Sequence, residues 1–153
     1  MFENVPDLNV VEVRHLIDEG MRRMLRTKMA RTRTGTQSWS FTDKDLTVHT
    51  RQAGACTILD VSGRMTIDSS SHLRPVLHAA VDAASPAGVV IECTRTTYLD
   101  TCAAATLLDA AMLGHGRGVP VRLVGLSGQP RLLAEVIELD RIFRALGSAV
   151  EFV

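Results

Sequence analysis

Hydrophobic and polar residues alternate in the middle of the chain with the two-residue period of a β-strand. The first alternating set is Leu46, Val48 and Thr50, and a turn signal follows at Gln52-Ala53-Gly54. Beyond that turn, one side of the predicted strand carries Cys56, Ile58 and Asp60, and the other carries Thr57, Leu59 and Val61. The two runs predict a β-hairpin. Trp39 and Phe41 just before it indicate an added edge strand.

The hydrophobic period changes to that of a helix after Gly63. The triplet Ser69-Ser70-Ser71 offers N-cap candidates. Apolar positions then recur at helical spacing, at Leu73, Val76, Leu77, Ala80, Val81 and Ala84. Pro75 is expected in the first turn, where proline is tolerated, and Ser85-Pro86 is expected to end the helix.

The rest of the chain alternates between short apolar runs and helical patterns. The predicted elements are a buried strand at 87–93, a helix at 103–113 ended by the glycine-rich stretch 114–118, a strand at 119–124, a helix at 130–139, a short helix or turn at Ile142-Phe143 and a closing strand at 150–152. The order β-β-α-β-α-β-α-(β) predicts an α/β fold with a mostly parallel sheet, right-handed crossovers and an antiparallel edge.

The first 36 residues have a different character from the rest. Val10, Val13, Ile17, Met21 and Met24 recur at helical spacing and predict an amphipathic helix. A basic cluster follows and ends in the linker-like stretch TRTGTQS. We therefore divide the chain into an N-terminal helix and linker at 1–36 and a globular domain at 37–153. Three roles are open for this helix. It docks on the domain or forms a dimer, it is a basic arm that binds a partner or a nucleic acid, or it lies on a membrane surface.

Composition and motifs exclude several classes of function. Seventeen Lys and Arg balance seventeen Asp and Glu, and aromatic residues make up 4% of the chain, which argues against a nucleic-acid binder. Three widely spaced cysteines form neither a disulfide framework nor a zinc motif, so we expect no metal or cofactor. The absence of a signal peptide and of a membrane-length apolar run indicates a cytoplasmic protein without membrane insertion. No hydrolase motif is present, and we expect no enzyme activity.

One turn of the predicted fold is suited to binding or regulation. Leu99-Asp100-Thr101-Cys102 lies where a strand leads into the second helix. A helix N-terminus carries a partial positive charge, and a phosphate added there changes the local charge by about −1.5 to −2. Plain N-capping by Asp100 or Thr101 is the other interpretation of this turn.

Three stretches resemble the STAS domain, the anti-sigma factor antagonist family. They are SGRMTIDSSSHLR, TTYLDTCAAATLLDAAMLGHGRGVPVRLVGLS and RLLAEVIELDRIF, and the resemblance covers roughly residues 45–153. It implies a mixed, mostly parallel sheet of four or five strands with helices packed largely on one face. It also implies a bacterial binding module whose partner is an anti-sigma factor, often a serine kinase, and whose capture of that partner is blocked by phosphorylation.

The resemblance places the regulatory switch at Asp100-Thr101-Cys102-Ala103. Asp100 matches the family pattern, Cys102 falls where the phosphorylated serine usually lies, and Thr101 is the neighbouring hydroxyl. The switch is therefore moved to Thr101, lost, or replaced by thiol chemistry. The partner-binding residues implied by the resemblance are Asp100, Thr101, Cys102, Thr66, Asp68 and Ser127.

Three hypotheses of function follow from these observations. The first is a regulatory protein that antagonises an anti-sigma factor by protein–protein binding. The second is a scaffold subunit of a stress complex that does not switch and that dimerises through the N-terminal helix. The third is a cytosolic accessory subunit of a membrane transporter, a role in which related STAS domains also serve.

Overall fold

The computed structural model describes residues 40–43 and 45–152 of the chain. In chain order the elements are β1 (Ser40–Asp43), β2 (Leu46–Ala53), β3 (Cys56–Met65), α1 (Ile67–Ala83), β4 (Val89–Leu99), α2 (Thr101–Arg117), β5 (Val121–Leu126), α3 (Gly128–Val136), α4 (Leu139–Ala145) and β6 (Ala149–Phe152). The predicted N-terminal helix lies outside the described residues, and the division of the chain near residue 36 stays a prediction.

The strands form one mixed sheet in the order β1-β2-β3-β4-β5-β6. β1, β2 and β3 pair antiparallel, whereas β3 to β6 pair parallel. Because the parallel strands follow one another in a single direction across the sheet, right-handed crossovers place the connecting helices on the same face. The predicted mixed α/β fold is confirmed, and β1 is the edge strand indicated before the hairpin.

The hydrophobic core lies between this helical layer and one face of the sheet. Leu46, Val48 and Thr50 of β2 point inward, as the alternation predicted, and so do Leu59 and Val61 of β3. The largest fully buried side chains are Phe143, Leu46, Leu59, Met65, Leu73, Leu77, Ile91, Leu99, Leu107, Leu123 and Leu126. The opposite face of the sheet, which we call the open face, carries polar and charged side chains between half-buried aliphatic ones.

Helix α1 begins earlier than predicted, and this corrects the placement of its N-cap. Thr66, not a residue of the serine triplet, is the N-cap, and its hydroxyl accepts the N–H of Asp68 at 3.3 Å. Ser69 completes a capping box, because its hydroxyl accepts the N–H of Thr66 at 2.9 Å. Pro75 consequently lies inside the helix and not in its first turn.

The later helix boundaries also differ from the prediction. Helix α2 continues through most of the glycine-rich stretch to Arg117, and Gly118 alone forms the left-handed C-cap. The helix predicted at 130–139 ends earlier, at Val136, and the short helix or turn predicted at Ile142-Phe143 is helix α4, which already begins at Leu139. Glu138 lies between α3 and α4 with φ of 56°, a left-handed conformation that interrupts the helical hydrogen bonds.

Two ion pairs join α1 to α2, and a half-buried histidine of α1 lies near them. Arg74 contacts Asp109 at 2.5 Å, and Arg117 contacts Asp82 at 2.9 Å. His78 lies on α1 one turn from both Arg74 and Asp82, and its Nε2 is buried with no hydrogen-bond partner among the described residues. Burial, aided by the positive charge of Arg74, lowers the pKa of His78, while Asp109 and Asp82 act in the opposite direction.

The stability of the domain is expected to fall with acid in a way that depends on His78. The unfolded chain takes up a proton on this residue near pH 6.5, its ordinary value. The folded domain does so only at lower pH. Stabilisation by neutral His78 is thus complete above about pH 6.5 and declines as the pH falls below it. Urea unfolding from pH 7.5 to 5 checks this, because His78→Gln should flatten the decline. Equal slopes for the wild type and His78→Gln would contradict the prediction.

Candidate functional site

Three helices begin at the same edge of the sheet. Helix α1 follows β3 at Thr66, α2 follows β4 at Asp100, and α3 follows β5 at Ser127. Because β3, β4 and β5 are parallel, their carboxyl ends meet at one edge, the usual place for binding sites in such sheets. The structure therefore brings together three residues that lie far apart in the sequence. We call this edge the carboxyl edge.

The carboxylate of Asp100 joins the first two of these helices. Its Oδ1 accepts the N–H of Ala103 at 2.8 Å, the N-cap bond of its own helix α2. Its Oδ2 accepts the N–H of Ile67, the first residue of α1, at 2.7 Å. The N–H of Asp100 in turn donates to the carbonyl of Met65 at 3.1 Å. One negative charge thus lies between two positive helix ends and fixes their separation.

Helix α3 is attached to the end of β4 by Gln129, a residue that the sequence analysis did not identify as a site residue. The side-chain amide of Gln129 donates to the carbonyl of Leu99 at 2.8 Å and accepts the N–H of Leu99 at 2.8 Å. It therefore replaces the strand neighbour that Leu99 lacks beyond the end of β5. A glutamine in the first turn of a helix is an ordinary surface residue by sequence, and only the topology shows that it meets β4.

The predicted site residues differ in how much they expose. Asp68, Thr101 and Ser127 are exposed, and the Ser127 side chain makes no capping hydrogen bond. Thr66 and Cys102 are half-buried, and the Thr66 hydroxyl is occupied in capping α1. The side chain of Thr101 is therefore more exposed to solvent than that of Cys102, the neighbouring residue of the switch.

Large apolar side chains are exposed on two of the helices that begin at this edge. Ile67 is 66% exposed at the start of α1, and Leu132 and Val136 of α3 are 60% and 72% exposed. Leu132 lies three residues after Gln129 and Val136 one further turn on, so the three share a face of α3. Exposed apolar residues beside polar ones are typical of protein interfaces.

The open face of the sheet holds a groove of about 560 Å³ lined by polar side chains. Its charged residues are largely engaged with close neighbours. Arg51 pairs with Asp60 at 2.7 Å, which raises the pKa of Arg51, and Glu92 accepts hydrogen bonds from the N–H and hydroxyl of Thr94. These internal contacts hold the side chains of Arg51 and Glu92 in place on the wall of the groove.

The described residues offer little reactive chemistry. Burial raises the pKa of the Cys93 thiol to about 12, so this cysteine stays protonated. Within residues 45–152, no three His, Cys, Asp or Glu side chains are placed to hold a metal ion. Over the same part of the chain, no helix combines the length and apolar character needed to cross a membrane.

Comparison with known proteins identifies the family. The STAS_2 family model, described as "Mlab, STAS domain", matches residues 48–147. The match spans more than half of the chain, and the protein therefore belongs to the STAS domain family. This confirms the resemblance noted in the sequence. No curated protein sequence matches the chain.

Solved structures of anti-sigma factor antagonists have a similar fold. One from Mycobacterium paratuberculosis is 15% identical, with a TM-score of 0.56 over 65% of this chain and 84% of that one. The antagonist SpoIIAA in its unphosphorylated form is 9% identical, with a TM-score of 0.57 over 69% of this chain and 87% of that one. At these identities the likeness establishes the STAS fold.

Proposed function

We propose that this STAS domain is a cytoplasmic regulatory protein that binds a protein partner through the carboxyl edge and is controlled by charge at Thr101. The observation that carries the proposal is the position of Thr101. It is the exposed first residue of α2, directly after the carboxylate that joins α1 to α2. Exposed Ile67 and Leu132 supply apolar contact area on the same edge.

The partner class in this proposal is a bacterial anti-sigma factor, often itself a serine kinase. The likeness of the fold to two anti-sigma factor antagonists supports this choice. The action is binding and not catalysis. The STAS domain captures the partner while Thr101 is unmodified, and phosphorylation of Thr101 ends the capture.

Added charge at Thr101 acts on binding more than on folding. A phosphate on this residue lies at a helix N-terminus, where the macrodipole favours negative charge. It also lies next to the carboxylate of Asp100 and on the edge that bears Asp68. A partner surface that covers these groups would have to desolvate a dianion beside existing negative charge, which is costly unless new cations compensate.

Thr101→Glu is expected to weaken partner binding at least about tenfold, since burying an unpaired charge costs more than about 1.4 kcal/mol. Thr101→Val should bind within about threefold of the wild type, because it keeps size and neutrality. The partner is first captured from lysate of the native host with the full-length protein and identified by mass. Its affinity for each purified variant is then measured by calorimetry.

The matched control is Gly116→Glu. It places the same charge on an exposed residue at the other end of α2, where a side chain meets open space. Binding should be unchanged by this variant. If Thr101→Glu binds as tightly as the wild type, the switch is absent and the non-switching scaffold becomes the better hypothesis. Capture of a membrane transporter would favour the accessory-subunit alternative.

The scaffold alternative has its own test in the N-terminal segment. If residues 1–36 form a dimerisation helix, their deletion should convert a dimer into a monomer, which light scattering shows as a solution mass equal to that of one truncated chain. A truncated protein that is still a dimer would exclude that route to dimerisation.

A further inference from the structure

An arginine and a tyrosine stack on the open face immediately before the carboxyl edge. Arg64 of β3 and Tyr98 of β4 are partners in the strand register, and the guanidinium lies 4.3 Å from the centre of the ring. Met65 and Leu99, the next residue of each strand, are fully buried in the core. The stacked pair therefore points away from the core, and it lies two residues before Thr66 and Asp100.

Most other arginines of the described residues already have a carboxylate partner. The ion pairs join Arg51 to Asp60, Arg74 to Asp109, Arg117 to Asp82, Arg122 to Glu151, Arg131 to Glu135, Arg141 to Glu138 and Arg144 to Asp140. Arg64 is exposed, and within residues 45–152 its side-chain contact is the aromatic ring. Among residues 45–152 no acceptor engages its guanidinium, and the ring restricts its orientation.

We propose that Arg64, held ready by Tyr98, binds a carboxylate of the partner protein and anchors it beside the carboxyl edge; this rests on the proposed function. A guanidinium binds a carboxylate through two parallel hydrogen bonds. Stacking on Tyr98 reduces the side-chain freedom that is lost on binding. Arginine and tyrosine are among the residues that contribute most to binding energy at interfaces.

The surroundings favour a carboxylate of a protein over a phosphate group. A phosphate site usually gathers several cations or free backbone N–H groups. Here the N–H of Ile67 is already bound by the Asp100 carboxylate, and Asp68 adds further negative charge in the first turn of α1. A dianion would meet repulsion there, whereas a single carboxylate needs only the guanidinium. Exposed Ile67 adds apolar area for a protein surface.

The anchor can be tested with a defined probe, the acetylated and amidated pentapeptide of glutamate. The full-length protein is labelled with ¹⁵N, and the Nε–Hε signals of its arginines are followed by NMR as the peptide is added. We expect the signal of Arg64 and the ring signals of Tyr98 to shift together and to saturate. The signal of Arg141, which is 77% exposed on α4, should shift little and without saturation.

Two variants separate the contributions of Arg64 and Tyr98 to peptide binding. Arg64→Gln should lower the peptide affinity at least about tenfold, because it removes charge-assisted hydrogen bonds. Tyr98→Leu should lower it about two- to fivefold, because it removes an exposed cation–π contact and leaves the charge. Inorganic phosphate is titrated in parallel as the competing anion.

The proposal fails if the peptide shifts Arg141 as strongly as Arg64, or if it shifts neither. It also fails if phosphate saturates the Arg64 signal at a lower concentration than the peptide does. These outcomes are independent of Thr101. If Thr101→Glu loses partner binding but the peptide does not bind at Arg64, the anchor alone is overturned. If the peptide binds at Arg64 but Thr101→Glu binds the partner as tightly as the wild type, the proposed switch alone is overturned.

Discussion

Gly63→Ala should cost the domain at least about 3 kcal/mol of its free energy of unfolding, the largest single effect that we expect. Gly63 lies near the end of β3 with φ of +104°, a conformation that residues with a Cβ rarely adopt. A Cβ at this position would lie 2.0 Å from the carbonyl oxygen of Asp45. Since that oxygen belongs to the backbone and accepts the N–H of Arg64 at 2.7 Å, it cannot move aside without breaking the bond.

Gly54→Ala is the matched control for this experiment. Gly54 also has a positive φ, of +62°, but a Cβ there meets nothing within 4 Å. The variant carries the backbone penalty without the collision, and we expect it to cost about 1 kcal/mol. Urea unfolding followed by circular dichroism measures both variants. Equal losses would show that the close approach to Asp45 has no energetic weight.

The effect of Gly63→Ala should extend to the carboxyl edge. Gly63 lies two residues before Met65, whose carbonyl accepts the N–H of Asp100. A shift of β3 would displace both the start of α1 and the end of β4. Partner binding should therefore weaken in the fraction of the variant that remains folded.

The fold could be predicted from the sequence because its elements have clear hydrophobic periods. The alternation from Leu46 to Val61 predicted β2 and β3, and the short apolar runs predicted the parallel strands. The boundaries were harder, because several residues could start the same helix. Thr66 caps α1 ahead of the serine triplet since Ser69 completes its capping box, and this moved Pro75 to the helix interior.

Features that depend on distant parts of the chain could not be found from local pattern. The bond between Asp100 and the N–H of Ile67 spans 33 positions, and the amide of Gln129 meets Leu99 across 30. The left-handed conformation of Glu138 has no local signal, because glutamate rarely adopts it. The turn at Asp100 could be selected from sequence as a helix start, but its contact with a second helix required the parallel order of the strands.

The two hydrogen bonds of the Asp100 carboxylate also explain why one residue can matter for both folding and binding. Its carboxylate satisfies backbone donors at the start of two helices, where each unpaired N–H would otherwise need water or another acceptor. The same contacts fix the position of exposed Thr101 relative to Ile67 and Asp68. A change at Asp100 is therefore expected to act on stability directly and on the proposed partner surface through geometry.

Asp100→Ala should cost about 2–3 kcal/mol of the free energy of unfolding, because two capping interactions of about 1 kcal/mol each are lost together with a favourable charge at two helix ends. Asp68→Ala is the control. It removes an acidic side chain from the first turn of α1 that does not act as the cap, and it should cost less than about 1 kcal/mol. Urea unfolding at pH 7 compares the two variants.

Asp100→Asn separates hydrogen bonding from charge. Its side-chain oxygen can still accept one of the two N–H groups, but its NH₂ must face the other donor, so about half of the loss in Asp100→Ala should remain. If Asp100→Ala is no less stable than Asp68→Ala, the carboxylate does not join the helices energetically. If Asp100→Asn is as stable as the wild type, the second of the two hydrogen bonds contributes nothing to stability. A loss in Asp100→Asn that also weakens partner binding would show that the spacing of α1 and α2, and not the exposed side chains alone, determines the partner surface.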